Sequence, residues 1–204
     1  MKRGPYAKTR AKRDEILEMA LNVIAREGYS RTTVRELSEA MGISSTGLMH
    51  HFDSKEALLT EVLRRRDALD SVDAEGVSLL AGGRVPLVSG LPEVVRHNAD
   101  VPGLVHLYTR ISAEATEPSH SSHDYFRDRY ERAKEAYALA VEQEQEAGRL
   151  TRAIDPKTLA VALVALVDGL QTQWMFDPEL DMGGVVSSLL AALAVRSDSG
   201  GEQA

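Results

Sequence analysis

The sequence predicts an all-α protein, with a small three-helix head at the N-terminus and a larger helical body after it. Apolar residues recur at intervals of three and four, as they do along one face of an amphipathic helix. Serine, threonine and aspartate precede several of these stretches, and glycine follows helix ends at Gly28 and Gly148. Prolines are expected near helix starts, at Pro92, Pro102 and Pro156. No stretch alternates between apolar and polar residues as a half-buried strand does, so strands are not expected.

The first helix is expected from Thr9 to Glu27, behind a basic arm formed by residues 1–8. Gly28 ends it, because glycine readily adopts the left-handed conformation that follows many helices. Its buried face would consist of Ile16, Leu17, Met19, Ala20, Val23 and Ile24.

Residues 32–52, TTVRELSEAMGISSTGLMHHF, predict two short helices joined by a glycine turn. Thr33 and Glu36 have the spacing of a capping box, which would start a helix that runs to Met41. Gly42 makes the turn, and Ser44 can cap a second helix through residue 52.

In that second helix, Leu48 and Phe52 are four residues apart and would both face inward. The residues left on the outside form a small polar surface: Ser45, Thr46, Met49 and His50. The major groove of DNA accommodates a helix of this kind. The leading interpretation is therefore a helix-turn-helix DNA-binding domain.

A fourth helix is expected from Lys55 to about Asp70, capped by Asp53 or Ser54, and it completes a DNA-binding domain over residues 9–70. A head of this size buries little surface alone, so it should also pack against the body. Residues 71–90 are rich in glycine and small residues and read as a loop at a domain boundary. Residues 71–199 would form the second, helical domain, with segments at Leu91–Ala99, Pro102–Glu117, Ser122–Ala147, Pro156–Phe176 and Met182–Arg196.

The last two segments contain unusually apolar stretches, LAVALVALVDGL at 159–170 and VVSSLLAALAV at 185–195. Their apolar arcs are too broad for surface helices of a monomer. Two such helices from each of two subunits would form a four-helix interface, which predicts a homodimer. The alternative is that both are central helices of the core.

The net charge of −7 is unevenly distributed, since residues 1–70 carry 13 basic and 11 acidic side chains while the rest carries 11 and 20. This asymmetry indicates a DNA-facing end and an acidic body.

There are no cysteines, no signal peptide is evident, and no apolar run is expected to span a membrane. A cytoplasmic protein without membrane attachment is expected.

The segment from AREGY through TTVRELSEAMGISSTGLMHHFDSKEALL resembles the N-terminal domain of the tetracycline-repressor (TetR) family. The resemblance covers roughly residues 10–60 and rests on Gly28-Tyr29, Thr32-Thr33, Gly42-Ile43-Ser44, Leu48, Phe52 and Ser54-Lys55-Glu56. One position departs from the family pattern, because Met49 stands where a tyrosine is usual. The resemblance implies a ligand-responsive repressor that binds a near-palindromic operator as a homodimer and is released by a small-molecule inducer.

Carried over to this chain, the resemblance implies that Thr33 and Lys55 bind phosphates of the DNA backbone. Arg35 would meet a base edge, because its planar guanidinium can pair with guanine in a bidentate way. Gly47 would permit close approach to the DNA. The implied DNA-binding residues are Thr33, Arg35, Ser44, Ser45, Thr46, Gly47, Met49, His50, His51 and Lys55.

His50 and His51 allow two interpretations. His51 can be a half-buried partner of the fourth helix, or one or both histidines can lie against phosphates. A protonated imidazole beside a phosphate forms a charge-assisted hydrogen bond. In the second case DNA binding should strengthen from about pH 8 to about pH 6.

The family's body domain encloses a small molecule, and aromatic walls with a few polar groups suit such a site. The implied ligand-binding residues are His106, Tyr108 and Arg110 in one segment and Gln171, Trp174 and Met175 in another. The alternative is that each is an ordinary core or interface residue.

Other chemistry is not expected. His120, His123 and Asp124 have a spacing that can ligate a metal, but no second cluster completes four ligands, so they are interpreted as solvated loop residues. No catalytic cluster and no cofactor motif is found, and no enzyme activity is expected. The alternative function is a helical small-molecule-binding or interaction protein whose head does not bind an operator.

Overall fold

The computed structural model describes residues 5–28, 33–69 and 86–195, and all of its regular structure is helical within these ranges. The only strand-like pairing among them is an isolated antiparallel bridge between Leu150 and Ala194. The helices are α1 Pro5–Glu27, α2 Val34–Ala40, α3 Ser45–Met49, α4 Lys55–Leu69, α5 Leu87–Ala99, α6 Pro102–Glu114, α7 His123–Glu146, α8 Pro156–Phe176 and α9 Met182–Ala192.

The all-α prediction is confirmed, and the bounds of α8 are those predicted. Several predicted bounds were wrong. Helix α6 ends at Glu114 rather than Glu117, and α9 ends at Ala192 rather than Arg196. The second helix of the helix-turn-helix, α3, ends at Met49 rather than Phe52. The first helix begins four residues earlier than expected, at Pro5. The fifth begins at Leu87, so residues 87–90 are helical and Pro92 lies inside the helix rather than near its start.

Some predictions fall on parts of the chain outside the described residues. These are residues 1–4 of the predicted arm, the family positions Tyr29 and Thr32, the predicted end of the fourth helix at Asp70, and residues 71–85 of the boundary loop predicted over 71–90.

Among the described residues, those up to 69 and those at 97–130 form one compact unit, and those at 86–96 and 131–195 form another. The first will be called the head unit and the second the body unit. Compactness thus groups residues 97–130 with the N-terminal helices, whereas the sequence interpretation assigned them to the body.

The head unit has a continuous apolar core to which α1, α4 and α6 contribute most. From α1, Ile16, Ala20 and Ile24 are fully buried, as the sequence predicted. Leu104 and Leu107 of α6 extend the same core. The three N-terminal helices therefore do not bury their apolar faces alone. This agrees with the small fraction of surface that a domain of their size can bury by itself.

Gly103 lets the first turn of α6 lie directly on the end of α1. A methyl group at this position would come within 1.8 Å of the backbone oxygen of Ile24. No larger residue fits without a backbone shift, so this glycine fixes how close the two helices pack.

Polar side chains join α4 to α7 inside the head unit. The hydroxyls of Thr60 and Ser122 are buried and lie 2.6 Å apart. Asp67 accepts from the Tyr125 hydroxyl at 2.7 Å and from Arg129 Nε at 3.0 Å. Burial and the Asp67 carboxylate raise the pKa of the Tyr125 phenol, which therefore stays protonated and keeps donating to Asp67.

Arg129 also stacks on the ring of Tyr108, 4.6 Å from its centroid, and donates to its hydroxyl at 3.0 Å. Burial alone would lower the pKa of Arg129, but the Tyr108 and Asp67 oxygens outweigh it and keep the guanidinium charged. Helices α4, α6 and α7 are thereby held by one network around a single cation.

In the body unit, α8 packs against α9 and the core includes Leu163, Leu170, Trp174 and Leu190. Asp155 and Asp181 cap the two helices by accepting from the backbone N–H groups of Thr158 and Gly184. Buried Glu144 is paired with Arg149 at 2.5 Å, which compensates its charge.

The expectation that no apolar run is long enough to cross a membrane was wrong for α8. Its length and composition suffice, with a mean hydropathy of 1.4 over its most apolar window. A core helix of a soluble protein meets the same criterion, so this helix is weak evidence for membrane insertion.

Candidate nucleic-acid interface

The capping box predicted at the start of α2 is present. Thr33 Oγ1 accepts from the Glu36 backbone N–H at 3.1 Å. In return the Glu36 carboxylate accepts from the Thr33 backbone N–H at 3.1 Å and from the Thr33 hydroxyl at 2.6 Å. These bonds satisfy donors that a helix start leaves unpaired, so the box fixes where α2 begins.

The turn between α2 and α3 depends on Gly42, whose φ of +65° is costly for any residue with a side chain. The Gly42 N–H donates to Glu39 O and the Ile43 N–H to Ser38 O, which satisfies the last carbonyls of α2. Ser44 then caps α3 by accepting from the Gly47 N–H at 3.0 Å. This confirms the predicted roles of Gly42 and Ser44.

Leu48 and Phe52 anchor α3 to the head, since they are 0% and 4% exposed. The Arg13 guanidinium lies over the Phe52 ring, 4.9 Å from its centroid, and pairs with Glu61 of α4 at 3.8 Å. Arg13 therefore covers Phe52 through a cation–π contact.

The residues of α3 and its ends that are predicted to contact DNA bases, here called the reading surface, are largely open to solvent. Ser44, Ser45, Thr46 and His50 are exposed, while Gly47 and Met49 are half-buried. A methyl group on Gly47 would lie 3.1 Å from Ser44 Oγ, so this glycine also makes room for the cap. Of the residues predicted to face outward, Ser45, Thr46 and His50 are exposed and Met49 is half-buried, while Leu48 is buried as predicted.

Two acidic residues of α2 engage the groups predicted to bind DNA from this helix. Glu36 binds both donors of Thr33, and Glu39 accepts from Arg35 Nε at 2.8 Å. Arg35 is nevertheless 83% exposed, so its side chain can reorient at little cost. Sequence reasoning missed the role of Glu39, although its spacing of four residues from Arg35 is a recognised pairing distance.

Lys55 is half-buried at the first position of α4, where Ser54 caps the helix through the Ala57 N–H at 3.0 Å.

The His50 and His51 rings meet edge to face with centroids 5.7 Å apart. His50 is exposed and His51 is half-buried. Both histidines therefore lie near the end of α3, beside the exposed surface.

The six predicted ligand residues lie on two helices, α6 and α8. On α6, His106 and Arg110 are exposed, whereas Tyr108 is buried in the network around Arg129. Gln171 and Trp174 of α8 are buried and Met175 is half-buried. The α6 residues belong to the head unit and the α8 residues to the body unit.

Gln171 has a feature that the sequence did not reveal. Its Oε1 atom is buried and has no hydrogen-bond partner in the structure. In the head unit, the same is true of the hydroxyl oxygen of Thr109. An unpaired buried acceptor is unfavourable, and it often marks a position that a ligand or water satisfies.

The histidines considered as metal ligands have other contacts. His120 Nδ1 accepts from the Ser122 backbone N–H at 3.1 Å, and His123 Nδ1 lies 2.9 Å from the Ala115 carbonyl. Within the described ranges, no group of three or more suitable side chains surrounds a common point.

The fold and the geometry of α2 and α3 define a helix-turn-helix protein with a helical body. A family model described as bacterial regulatory proteins, tetR family, matches residues 16–62. A second, described as the C-terminal part of BetI-type transcriptional repressors, matches residues 113–195. The chain belongs to the TetR family of bacterial regulatory proteins, as its sequence indicated.

Two of the curated relatives that the chain resembles are named as repressors. The chain is 32% identical to the HTH-type transcriptional repressor KstR2 of Rhodococcus jostii over 117 residues, which cover 57% of this chain and 49% of that protein. It is 29% identical to the HTH-type transcriptional repressor Rv1474c of Mycobacterium tuberculosis over 78% of this chain and 80% of that protein. The chain thus spans about half the length of the first of these relatives.

Solved structures show the same fold. A TetR-family regulator from Agrobacterium tumefaciens aligns with a TM-score of 0.72 and 19% identity, over 92% of this chain and all of that one. A transcriptional regulator from Saccharomonospora viridis, solved in complex with choline, aligns with a TM-score of 0.65 and 24% identity, over 92% of this chain and 100% of that chain.

Proposed function

We propose that this protein is a cytoplasmic transcriptional repressor that binds a near-palindromic DNA operator as a homodimer and is released by a small molecule. The observation that carries the proposal is the α2–α3 arrangement. Its capping box, its left-handed Gly42 and its buried Leu48 hold an exposed polar face of α3 in a defined direction. Such a face fits the major groove, where base edges can be distinguished.

Phosphate contacts and base contacts have different roles in this proposal. Lys55 and Thr33 would bind phosphates and supply affinity that weakens with salt. Arg35, Ser45, Thr46 and Met49 would meet base edges and supply selectivity. Ser44 before α3, Gly47 within it, and His50 and His51 after it would complete the DNA-facing surface.

The dimer proposal is supported by apolar side chains that α8 and α9 leave in solvent. Val161 is 52% exposed and Phe176 87% exposed, and helical spacing puts both on one face of α8. Val185 and Leu189 are 38% and 39% exposed, one turn apart on α9. A second copy of the chain would cover these faces, as expected from the breadth of their apolar arcs.

The effector proposal is supported mainly by the body unit. Gln171 presents a buried, unpaired oxygen on the same helix as buried Trp174 and half-buried Met175. An aromatic wall with a polar group that lacks a partner is typical of small-molecule sites. His106, Tyr108 and Arg110 of α6 remain proposed ligand contacts, and the network around Arg129 connects Tyr108 to α4 of the head.

The test is a binding titration of the full chain with labelled DNA that flanks its own gene, in competition with random DNA of equal length. We expect selective binding whose logarithmic affinity falls linearly with the logarithm of salt concentration. Equal binding to flanking and random DNA over the whole salt range would refute an operator in that region. Selection from a random-sequence library then tests whether any operator exists.

The alternative is a helical small-molecule-binding or interaction protein that does not bind an operator. It is favoured by Glu36 and Glu39, whose carboxylates engage Thr33 and Arg35, and by the net charge of −7. Failure of both the titration and the library selection would favour this alternative.

A further inference from the structure

The hydroxyl of Ser38 determines what Ser45 can do at the DNA surface. Ser38 is 2% exposed and lies on α2, and its Oγ donates to the backbone oxygen of Arg35 at 2.8 Å. Ser45, the first residue of α3, approaches from the other side, with its Oγ 2.9 Å from Ser38 Oγ.

A serine hydroxyl has one proton to donate and can accept more than one hydrogen bond. The Arg35 carbonyl has no proton, so the contact at 2.8 Å is a hydrogen bond only if Ser38 supplies the proton. The proton between the two serines must then come from Ser45. In this arrangement the Ser45 hydroxyl cannot donate a hydrogen bond to DNA, but its lone pairs can still accept one.

We infer that Ser45 reads DNA only as a hydrogen-bond acceptor and therefore selects adenine or cytosine over guanine or thymine at one position in each half-site. This inference rests on the proposed function. In the major groove adenine and cytosine present amino groups, whereas guanine and thymine present only acceptors at the edge. Phosphate oxygens are acceptors as well, so Ser45 is a specificity residue rather than a phosphate contact.

The neighbouring Ser44 provides a contrast within the same turn. Its Oγ accepts from the Gly47 N–H at 3.0 Å, and this bond leaves its own proton uncommitted. Ser44 can therefore donate to a phosphate oxygen. Ser44 can thus donate a hydrogen bond to DNA, whereas Ser45 can only accept one, although both residues are serines.

The experiment is selection from a random duplex library with the full wild-type chain and with Ser45→Ala and Ser38→Ala variants. Affinities for the selected operator and its single-base variants are then measured. Thermal unfolding followed by circular dichroism verifies that each variant is folded. If wild-type selection yields no preferred sequence, the proposed function itself fails, and the inference with it.

We expect wild type to prefer adenine or cytosine at one position by about three- to tenfold, the strength of one net hydrogen bond. Ser45→Ala should abolish the preference at that position and keep the others. Ser38→Ala frees the Ser45 proton, so guanine or thymine should become tolerated there. The inference is overturned if the affected position prefers guanine or thymine, if Ser45→Ala changes affinity for all sequences equally or not at all, or if Ser38→Ala leaves the preference unchanged.

Discussion

At the scale of single residues, Glu36 occupies the two donors that a DNA phosphate would use at Thr33. Its carboxylate binds both the backbone N–H and the hydroxyl of that residue. The capping box that positions α2 and the proposed phosphate contact therefore compete for the same groups. DNA binding at Thr33 requires this carboxylate to move or its charge to be offset.

Replacing Glu36 by glutamine should raise the affinity for DNA by about two- to fivefold, because it removes a negative charge close to the phosphate. Glutamine still completes a capping box, so α2 should keep its start. The measurement is a titration with operator DNA at low salt. Glu142→Gln, at an exposed position of α7 in the body unit, removes the same charge outside the helix-turn-helix and should leave affinity unchanged. A weaker complex for Glu36→Gln would contradict competition at Thr33.

Arg35 is held by Glu39 in the absence of DNA, but its side chain is largely exposed. Arg35→Ala should relax selectivity at one base pair in each half-site, at a cost of about 1–3 kcal/mol for the preferred base. Lys55→Ala is the comparison, since it should weaken all sequences alike and lower the salt slope by about 1. Binding to a panel of operator variants distinguishes the two patterns. If Arg35→Ala weakens binding to all operator variants equally, Arg35 contacts only the DNA backbone.

The Gln171 side chain should lower the free energy of unfolding of the ligand-free protein, because its buried oxygen has no hydrogen-bond partner. Gln171→Leu should raise the free energy of unfolding by about 1 kcal/mol, measured by urea denaturation. Gln173→Leu, an exposed change of the same kind on α8, should have little effect. Destabilisation by Gln171→Leu would show that the oxygen is satisfied in solution. Binding sites commonly keep such unfavourable groups because function uses them.

At the scale of elements, the head unit is held together by polar contacts as well as by its core. Asp67 of α4 pairs with Arg129 of α7, and Arg129 in turn holds Tyr108 of α6. The Asp67 and Arg129 side chains are about 30% exposed, so this pair is partly screened by solvent. It nevertheless joins the helix that follows the reading surface to two helices farther along the chain.

Arg129→Met should destabilise the protein by about 1–2 kcal/mol, because Asp67 then loses a partner in a partly buried position. Asp67→Asn should cost a similar amount, and the double variant should cost less than the sum of the two. Urea denaturation of the four proteins completes the cycle. Additive losses would mean that the two side chains stabilise the head independently.

At the scale of the whole molecule, the exposed apolar faces of α8 and α9 predict association. Leu189→Glu should shift the protein from dimer to monomer in sedimentation velocity, because a carboxylate would be buried in the interface. Ala113→Glu, at an exposed position of α6, adds the same charge outside that face and should leave the dimer intact. Persistence of the dimer in Leu189→Glu would place the interface elsewhere.

The local devices of the head could be predicted because they depend on residues close together in the chain. The capping box at Thr33, the turn at Gly42 and the cap at Ser44 each join groups within a few positions, and each was found as predicted. Helical periodicity also identified the buried residues of α1. The start of α5 was missed, since Pro92 was taken for a helix start and lies inside the helix.

The fold class, the family and the helix-turn-helix were determined by the sequence alone, since periodicity and capping act over short separations. Only the tertiary structure brought Ser38 against Ser45, Asp67 against Arg129 and Gly103 against α1, and left the Gln171 oxygen without a partner. These features depend on helix packing or on which atom of a buried side chain finds a partner. No local pattern encodes them, because a hydrogen bond is decided by tenths of an ångström and by the direction of one proton.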